Sequence, residues 1–108
     1  MKSSLNAICL TLVLALGTIS SARSADLQRG YSSYAAWDYG TALRVFTTLS
    51  KQGNVEAQFM LGLMHYKGEG VPQDYKTAVT WYALAAEQGN AIAQTNLGVM
   101  YQKGKGVP

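Results

Sequence analysis

The side chains that could carry out chemistry are few and far apart in this sequence of 108 residues. His65 is the only histidine, and Cys9, the only cysteine, lies in an apolar N-terminal run. A metal site or a general acid–base pair needs several such groups together. A histidine that is packed in the fold or half exposed is therefore favoured over a ligand or a catalyst.

The other candidates for catalysis have simpler structural explanations. Asp38 and Asp74 each stand just before an apolar helical pattern, where a carboxylate caps the free amides of the first turn. Ser32 and Ser33 have neither a lysine at the S-x-x-K spacing nor a histidine nearby. We therefore predict no catalytic residue, no cofactor site and no metal site, and expect that the protein is not an enzyme.

Two glycine-rich segments, K-G-E-G at residues 67–70 and K-G-K-G at residues 103–106, resemble phosphate-binding loops only in their glycine content. Both follow predicted helices, and the C-terminal end of a helix dipole repels anions. No P-loop motif surrounds them. The conformation of a turn is the better explanation for these glycines.

The elements that hold these residues follow a repeat. The segment Ala57–Pro72 recurs in similar form as Ala93–Pro108, 36 residues later, and each of its glycines has a counterpart at this offset. Self-similarity at such a period is typical of a solenoid of stacked supersecondary units. The first unit differs, because its turn lacks the four residues that carry G-x-G-V-P.

Capping residues and apolar residues at helical spacing predict five helices. They are expected from Asp26 for about ten residues, from Asp38 to Gly53, from Asn54 to the Gly68 loop, from Tyr75 to about Gln88 and from Ala91 to about Gln102. The expected buried residues are Ala42, Val45, Phe46, Leu49, Ala57, Met60, Leu61, Met64, Ala78, Tyr82 and Ala85, with the aromatic residues Trp37, Tyr39 and Trp81 also in the core.

Gly62 and Gly98 lie inside two predicted helices, where each costs about 1 kcal/mol relative to alanine. Because the same cost in helix propensity occurs at equivalent positions of two repeats, we infer that the neighbouring helix approaches closely there. We expect the bulky side chain of Trp81 or Tyr82 to lie over the bare backbone.

The N-terminus has the features of a secretory signal peptide. Lys2 is followed by an apolar run from Leu5 to Leu16 and then by small residues. This run is shorter than the ~20 residues that span a bilayer. We predict a signal peptide over residues 1–22, with cleavage as late as residue 25, and no stable membrane anchor after its removal. The mature chain then has no cysteine, which suits a periplasmic or secreted protein of the bacterial cell envelope.

The charge argues against binding to nucleic acid. Nine Lys and Arg residues stand against six Asp and Glu residues, and Lys2 is lost with the signal peptide. The remaining cations are scattered singly, whereas a phosphate-binding face needs them clustered. We expect no nucleic-acid partner.

From Ala57 to Asn90 the sequence reads A-x-x-x-L-G-x-M-x-x-x-G-x-G-V-P-x-D-Y-x-x-A-x-x-W-Y-x-x-A-A-x-x-G-N. This pattern closely resembles the Sel-1-like repeat of the tetratricopeptide-like superfamily, in its exported bacterial type. The resemblance implies an all-α fold, a right-handed α-solenoid of antiparallel helix pairs. Its structural signature positions are Ala57, Gly62, Gly68, Gly70, Asp74, Ala78, Trp81, Tyr82 and Gly89.

The resemblance also divides the mature chain. Residues 26–54 look like a tetratricopeptide helix pair with a tight turn, residues 55–90 form a Sel-1-like repeat, and residues 91–108 begin a second one. This second repeat stops where its packing helix is expected, so Ala93, Leu97 and Met100 are predicted to be uncovered. Cover by another protein, or self-association through this C-terminal helix, follows as an expectation.

The resemblance implies a non-enzymatic adaptor that binds a protein or a peptide on the concave helix face. By alignment with the tetratricopeptide motif, the first helix of each pair would line the groove, although plain surface explains the same positions equally well. The alternative is an envelope hydrolase of the β-lactamase or penicillin-binding type described for cysteine-rich relatives, whose cysteines the mature chain lacks. The groove residues would be Phe59, Leu63, Tyr66, Lys67, Thr95, Val99, Gln102 and Lys103.

Overall fold

A computed structural model describes residues 22–108 of the chain. This part is helical from end to end: α1 covers residues 22–35, and it is followed by α2 (Tyr39–Lys51), α3 (Val55–Lys67), α4 (Tyr75–Glu87) and α5 (Ala91–Lys103). No strand occurs between residues 22 and 108. The signal peptide predicted over residues 1–22 lies, apart from its last residue, outside the described residues.

Polar side chains set the start of each helix from α2 to α5. Each capping side chain accepts a hydrogen bond from the backbone N–H three residues later, which satisfies an amide that has no partner inside the helix. The five predicted helices are confirmed, although α1 begins before Asp26. The capping residues are Asp38, Asn54, Asp74 and Asn90.

Consecutive helices pack against each other, α2 on α3, α3 on α4 and α4 on α5, in a solenoid of antiparallel helix pairs. Two connected cores result. The first is formed by buried residues of α2 and α3, and the second by buried residues of α4 and α5. All eleven aliphatic and aromatic residues expected inside these helices are buried, while Trp81 is half-buried against the first core.

Aromatic rings cover two of the three helical glycines that occupy equivalent positions. A Cβ on Gly62 would lie 2.5 Å from the ring of Tyr82, and one on Gly30 would lie 2.6 Å from the ring of Phe46. The close approach predicted at Gly62 is therefore confirmed, with Tyr82 as the covering side chain. At Gly98 the same prediction is wrong, because no described atom outside the glycine's chain neighbours and the backbone of its own helix lies within 4 Å of such a Cβ.

Trp37 is not a core residue, contrary to the sequence prediction. Its side chain is 79% exposed and its φ angle is 64°. The short α1–α2 turn explains this: Trp37 takes the left-handed position after the helix, and the Asp38 N–H donates to the Ser33 carbonyl oxygen at 2.9 Å. That backbone conformation directs the indole away from the helix pair, with its ring centroid 6.2 Å from that of Tyr39 and the two rings tilted by 36°.

The expectation of an uncovered apolar face on α5 is also wrong. Ala93 and Met100 are 0% and 2% exposed, and Leu97 packs with them against α4. The helix turns these residues towards Tyr82 and Ala85, so one side of α5 is enough to bury them. The opposite side is exposed and carries the small or polar residues Ala91, Thr95, Gly98 and Gln102. Three large apolar side chains of α5 are also exposed beside it, namely Ile92, Val99 and Tyr101.

Candidate functional site

A cleft of about 250 Å³ opens between α3 and α5, over the side chain of Tyr82 from α4. Its walls are mainly apolar, with one ammonium group and one amide among them. Such a mixture is typical of sites that bury an apolar ligand group and fix it with few polar contacts. The lining residues are Leu63, Tyr66, Lys67, Tyr82, Asn96, Val99 and Met100.

Two smaller side chains in α5 open this cleft. Asn96 occupies the position that Met60 has one repeat earlier, and Val99 occupies that of Leu63. Met60 is 5% exposed and fills the first core, whereas Asn96 is shorter, only half-buried and lines the cleft. The cleft therefore lies where the second repeat replaces packed hydrophobic volume with a shorter polar side chain.

Tyr82 forms the rigid floor of the cleft. It is 1% exposed, its ring lies over Gly62, and its centroid is 5.8 Å from that of Phe59. Burial raises the pKa of Tyr82 to about 12, with an opposing contribution from the side chain of Asn96. At neutral pH the floor is thus an uncharged phenol next to an amide.

One ammonium group, that of Lys67, lines the Tyr66 end of the cleft, and a second, that of Lys105, lies outside the lining but contacts Tyr66. The side chain of Lys67 is 52% exposed, and its Nζ lies 3.8 Å from Glu69 Oε1. Lys105 Nζ donates to the Tyr66 hydroxyl at 3.2 Å and lies 5.4 Å and 5.2 Å from the ring centroids of Tyr66 and Tyr75. The hydrogen bond to Tyr66 raises the pKa of Lys105, so this group is a cation at neutral pH.

The two G-x-G loops make equivalent contacts with opposite charges. In the first loop, the Tyr34 hydroxyl donates to Glu69 Oε1 at 3.0 Å. In the second loop, Lys105, which is the repeat equivalent of Glu69, donates to the hydroxyl of Tyr66. A phenol can donate to a carboxylate or accept from an ammonium group, which is why the same geometry serves both charges.

Comparison with known proteins agrees with this architecture. The sequence profile of the Sel1 repeat matches residues 55–90 and 91–108. The chain belongs to the Sel1 repeat family. No curated protein sequence matches it significantly.

Two solved structures of Sel1 repeat proteins superimpose on this chain. One is a protective antigen present in uropathogenic Escherichia coli strains, which displays an SLR fold; it is 42% identical, with a TM-score of 0.77 over 87% of this chain and 21% of its own. The other is a Sel1 repeat protein from Oxalobacter formigenes, 41% identical, with a TM-score of 0.71 over 75% of this chain and 33% of its own. The chain thus spans at most a third of the length of these two relatives.

Sel1 repeats generally mediate protein–protein interaction, and their proteins are generally non-catalytic scaffolds. Among residues 22–108 no three metal-binding side chains lie close enough together to hold an ion. No helix in the same range is long and apolar enough to cross a membrane.

The Sel1 signature residues have structural tasks in the described chain. Ala57 and Ala78 are fully buried at helix contacts, and the loop glycines Gly68 and Gly70 have φ angles of 73° and 75°. Gly89 likewise has a φ of 93° in the turn before α5. The left-handed conformation of all three glycines explains why other residues would be strained there.

The carboxylates and the histidine that could take part in catalysis or metal binding do not come together in the structure. Asp74 accepts hydrogen bonds from the backbone N–H and the hydroxyl of Thr77, at 3.3 Å and 2.7 Å, and these bonds lower its pKa. Asp38 caps α2 in the same way, with a lowered pKa. His65 Nδ1 is buried without a hydrogen-bond partner, and Glu69, four residues on, lies beyond the end of α3 and contacts Tyr34 instead.

The structure brings together half of the residues predicted to line a binding groove. Leu63, Tyr66, Lys67 and Val99 all line the cleft. Phe59 instead packs on Tyr82, and three residues of α5 are exposed outside the cleft lining: Thr95, Gln102 and Lys103. A role in binding stays a prediction for all eight.

Sequence reasoning missed Asn96 and Lys105. A signal for both was present in the repeat register, since Asn96 breaks the pattern set by Met60, and Lys105 reverses the charge of Glu69. The cleft can therefore be identified from positions at which one repeat differs from the other, including positions that are not on an exposed face.

Proposed function

We propose that the chain is a non-enzymatic adaptor of the cell envelope, which binds a segment of another protein in the cleft between α3 and α5. One observation supports this most directly: the cleft has an apolar floor formed by Tyr82, Val99 and Met100, and it lies between the two helices that are expected to line the groove by alignment with the tetratricopeptide motif. A cavity of about 250 Å³ has room for one or two side chains of a partner.

A photo-crosslinking experiment tests this function. A benzophenone amino acid at Val99, which is 38% exposed in the cleft, should form adducts with a partner protein in bacteria that express the chain. The matched control places the same group at Leu84, which is 40% exposed on α4 and outside the cleft lining.

A second variant distinguishes binding in the cleft from non-specific association. Asn96→Met restores the residue that fills this position in the preceding repeat, so it should close the cleft. We expect the Val99 adducts to disappear in this background. Adducts of equal yield from Leu84, or adducts that persist when the cleft is filled, would contradict the proposal.

Location in the envelope is part of the same proposal. It is supported by the N-terminal pattern of Lys2, the apolar run and the small residues that follow. Mass spectrometry of the protein from a periplasmic extract should show the loss of residues 1–22, or of up to residue 25. A chain that keeps Met1 in that fraction would contradict export through a cleaved signal peptide.

A further inference from the structure

The cleft has a charge asymmetry that restricts its partner. We propose that it recognises a peptide segment in which an apolar side chain has acidic residues on one side. This inference rests on the proposed function and specifies the chemistry of its ligand.

The apolar part of the ligand follows from the walls. Leu63 from α3 and Val99 from α5 both line the cleft, together with Met100 and Tyr82. An aliphatic side chain placed there would remove apolar surface from water on several sides, which is worth about 25 cal/mol per Å². The amide of Asn96 adds one polar contact, which a peptide backbone group could use.

The acidic part follows from the two ammonium groups at the Tyr66 end. Lys105 contacts only tyrosine hydroxyls and rings among the groups described, so no protein carboxylate neutralises it. Lys67 Nζ lies 3.8 Å from Glu69 Oε1. The same carboxylate oxygen also accepts a hydrogen bond from the hydroxyl of Tyr34 in α1. The three charges sum to +1 at this end, and half of the Lys67 side chain remains in water to meet a ligand.

One further acidic group belongs to the same helix. Glu56 lies in the first turn of α3, nearly two turns from Leu63 and about three turns from the end that carries Tyr66 and Lys67, and it interacts with Tyr31 of α1. Glu56 is too far away to neutralise the Tyr66 end, which therefore stays positive. The two ends of the groove thus differ in charge. A bound segment would place its carboxylates towards Lys67 and Lys105.

The test uses the full mature chain, labelled with ¹⁵N, and three capped hexapeptides. The first has the sequence Gly-Ser-Leu-Asp-Glu-Gly, the second replaces Asp-Glu by Lys-Lys, and the third replaces Leu by Ser. We expect the first peptide to shift the amide signals of Leu63, Lys67 and Val99. It should bind at least about fivefold more tightly than either control, and more weakly as salt is raised.

Charge variants decide whether the lysines cause this preference. Lys105→Glu should remove most of the preference for the acidic peptide, while the melting temperature stays unchanged, because Tyr66 can donate to a carboxylate as Tyr34 does. Lys51→Glu changes the net charge equally at an exposed position at the end of α2, and should have little effect.

The outcomes separate this inference from the function on which it rests. Equal binding of the acidic and basic peptides, no binding of any peptide at millimolar concentration, or an undiminished preference in Lys105→Glu would overturn the inference. The proposed function would survive these results if crosslinking at Val99 still depended on an open cleft. Loss of that crosslinking as well would overturn both.

Discussion

Gly62 and Gly98 are equivalent residues of two repeats, but only Gly62 has a side chain over it. Replacement by alanine gains about 1 kcal/mol of helix propensity at either position. At Gly62 the new Cβ would lie 2.5 Å from the buried ring of Tyr82, and such overpacking costs about 1–3 kcal/mol. We therefore expect Gly62→Ala to be neutral or destabilising, and Gly98→Ala to be stabilising by up to about 1 kcal/mol.

Chemical denaturation of both variants measures this difference. Because the substitution is the same, helix propensity cancels between the two, and the remainder reports the contact with Tyr82. Two variants with equal stability would show that the ring of Tyr82 moves aside freely, and that the close approach of α4 to α3 has little energetic weight.

Tyrosine ionisation should limit stability in alkali. Burial raises the pKa of Tyr82 to about 12, and burial together with the hydrogen bond to Glu69 raises that of Tyr34 to about 12. Below pH 10 these phenols are protonated in both folded and unfolded chains. Between pH 10 and about 12 only the unfolded chain loses their protons, so the free energy of unfolding should fall with rising pH.

Urea titrations at several pH values between 8 and 12 test this dependence. Tyr82→Phe serves as the matched variant, because Phe46 has the equivalent place in the preceding pair. Its stability should fall less steeply with pH than that of the parent chain. An identical slope would mean that Tyr82 does not ionise on unfolding in this range.

The helices differ in how many neighbours they have. Within residues 22–108, α3 packs between α2 and α4, whereas α5 packs mainly on α4 and exposes its Gly98 side. Elements with fewer buried contacts open at lower free energy. We expect the central amides of α5 to exchange with solvent faster than those of α3, with Met100 protected better than Thr95.

Hydrogen exchange on the dilute protein measures this order, and Gly98→Ala is an informative variant. It should slow exchange within α5 through its helix propensity and leave α3 unchanged. Protection that is equal in α3 and α5 would contradict a one-sided packing of the last helix.

Periodicity and capping residues made the helices predictable, since these signals are local and act in the same direction. Asp38, Asn54, Asp74 and Asn90 each marked a helix start, and the alternation of apolar residues marked the buried faces. The sequence pattern marks the apolar face of α5 but does not show which neighbouring helix this face packs against. For this reason the contact of Ala93, Leu97 and Met100 with α4 was not predicted. Trp37 was assigned to the core for its residue type, whereas the turn length decides its exposure.

The candidate site was predictable only in part, because it is formed between repeats. Alignment with a helix-pair family pointed to Leu63, Tyr66, Lys67 and Val99, which the structure brings to one cleft. It could not show that Asn96 leaves space there, since an empty volume depends on the packing of three helices. It also could not show that Lys105 reaches back across a whole repeat to Tyr66.

At the scale of the whole molecule, the solenoid should tolerate an added unit. Insertion of a second copy of residues 55–90 after Asn90 would place a new helix pair between α4 and α5. Two of the three resulting interfaces would repeat the existing α3–α4 and α4–α5 interfaces, and the third would pack α4 on the added copy of α3 in place of α5. We expect a folded chain with a higher melting temperature. The control is the same insertion with Gly62→Leu in the added copy, which should lose most of the gain; a parent melting temperature in both would contradict repeat-by-repeat stabilisation.

The paired tyrosines determine whether such an insertion can fold without further changes. In the longer chain, the added loop would bring a glutamate to Tyr66 and Tyr75, where Lys105 now lies. Tyr34 already donates to a glutamate in the equivalent contact, so neither junction needs a compensating substitution. A gene that encodes this unit can therefore be lengthened by unequal crossing-over in a single step, and the loop charges are free to change afterwards under selection for a new ligand.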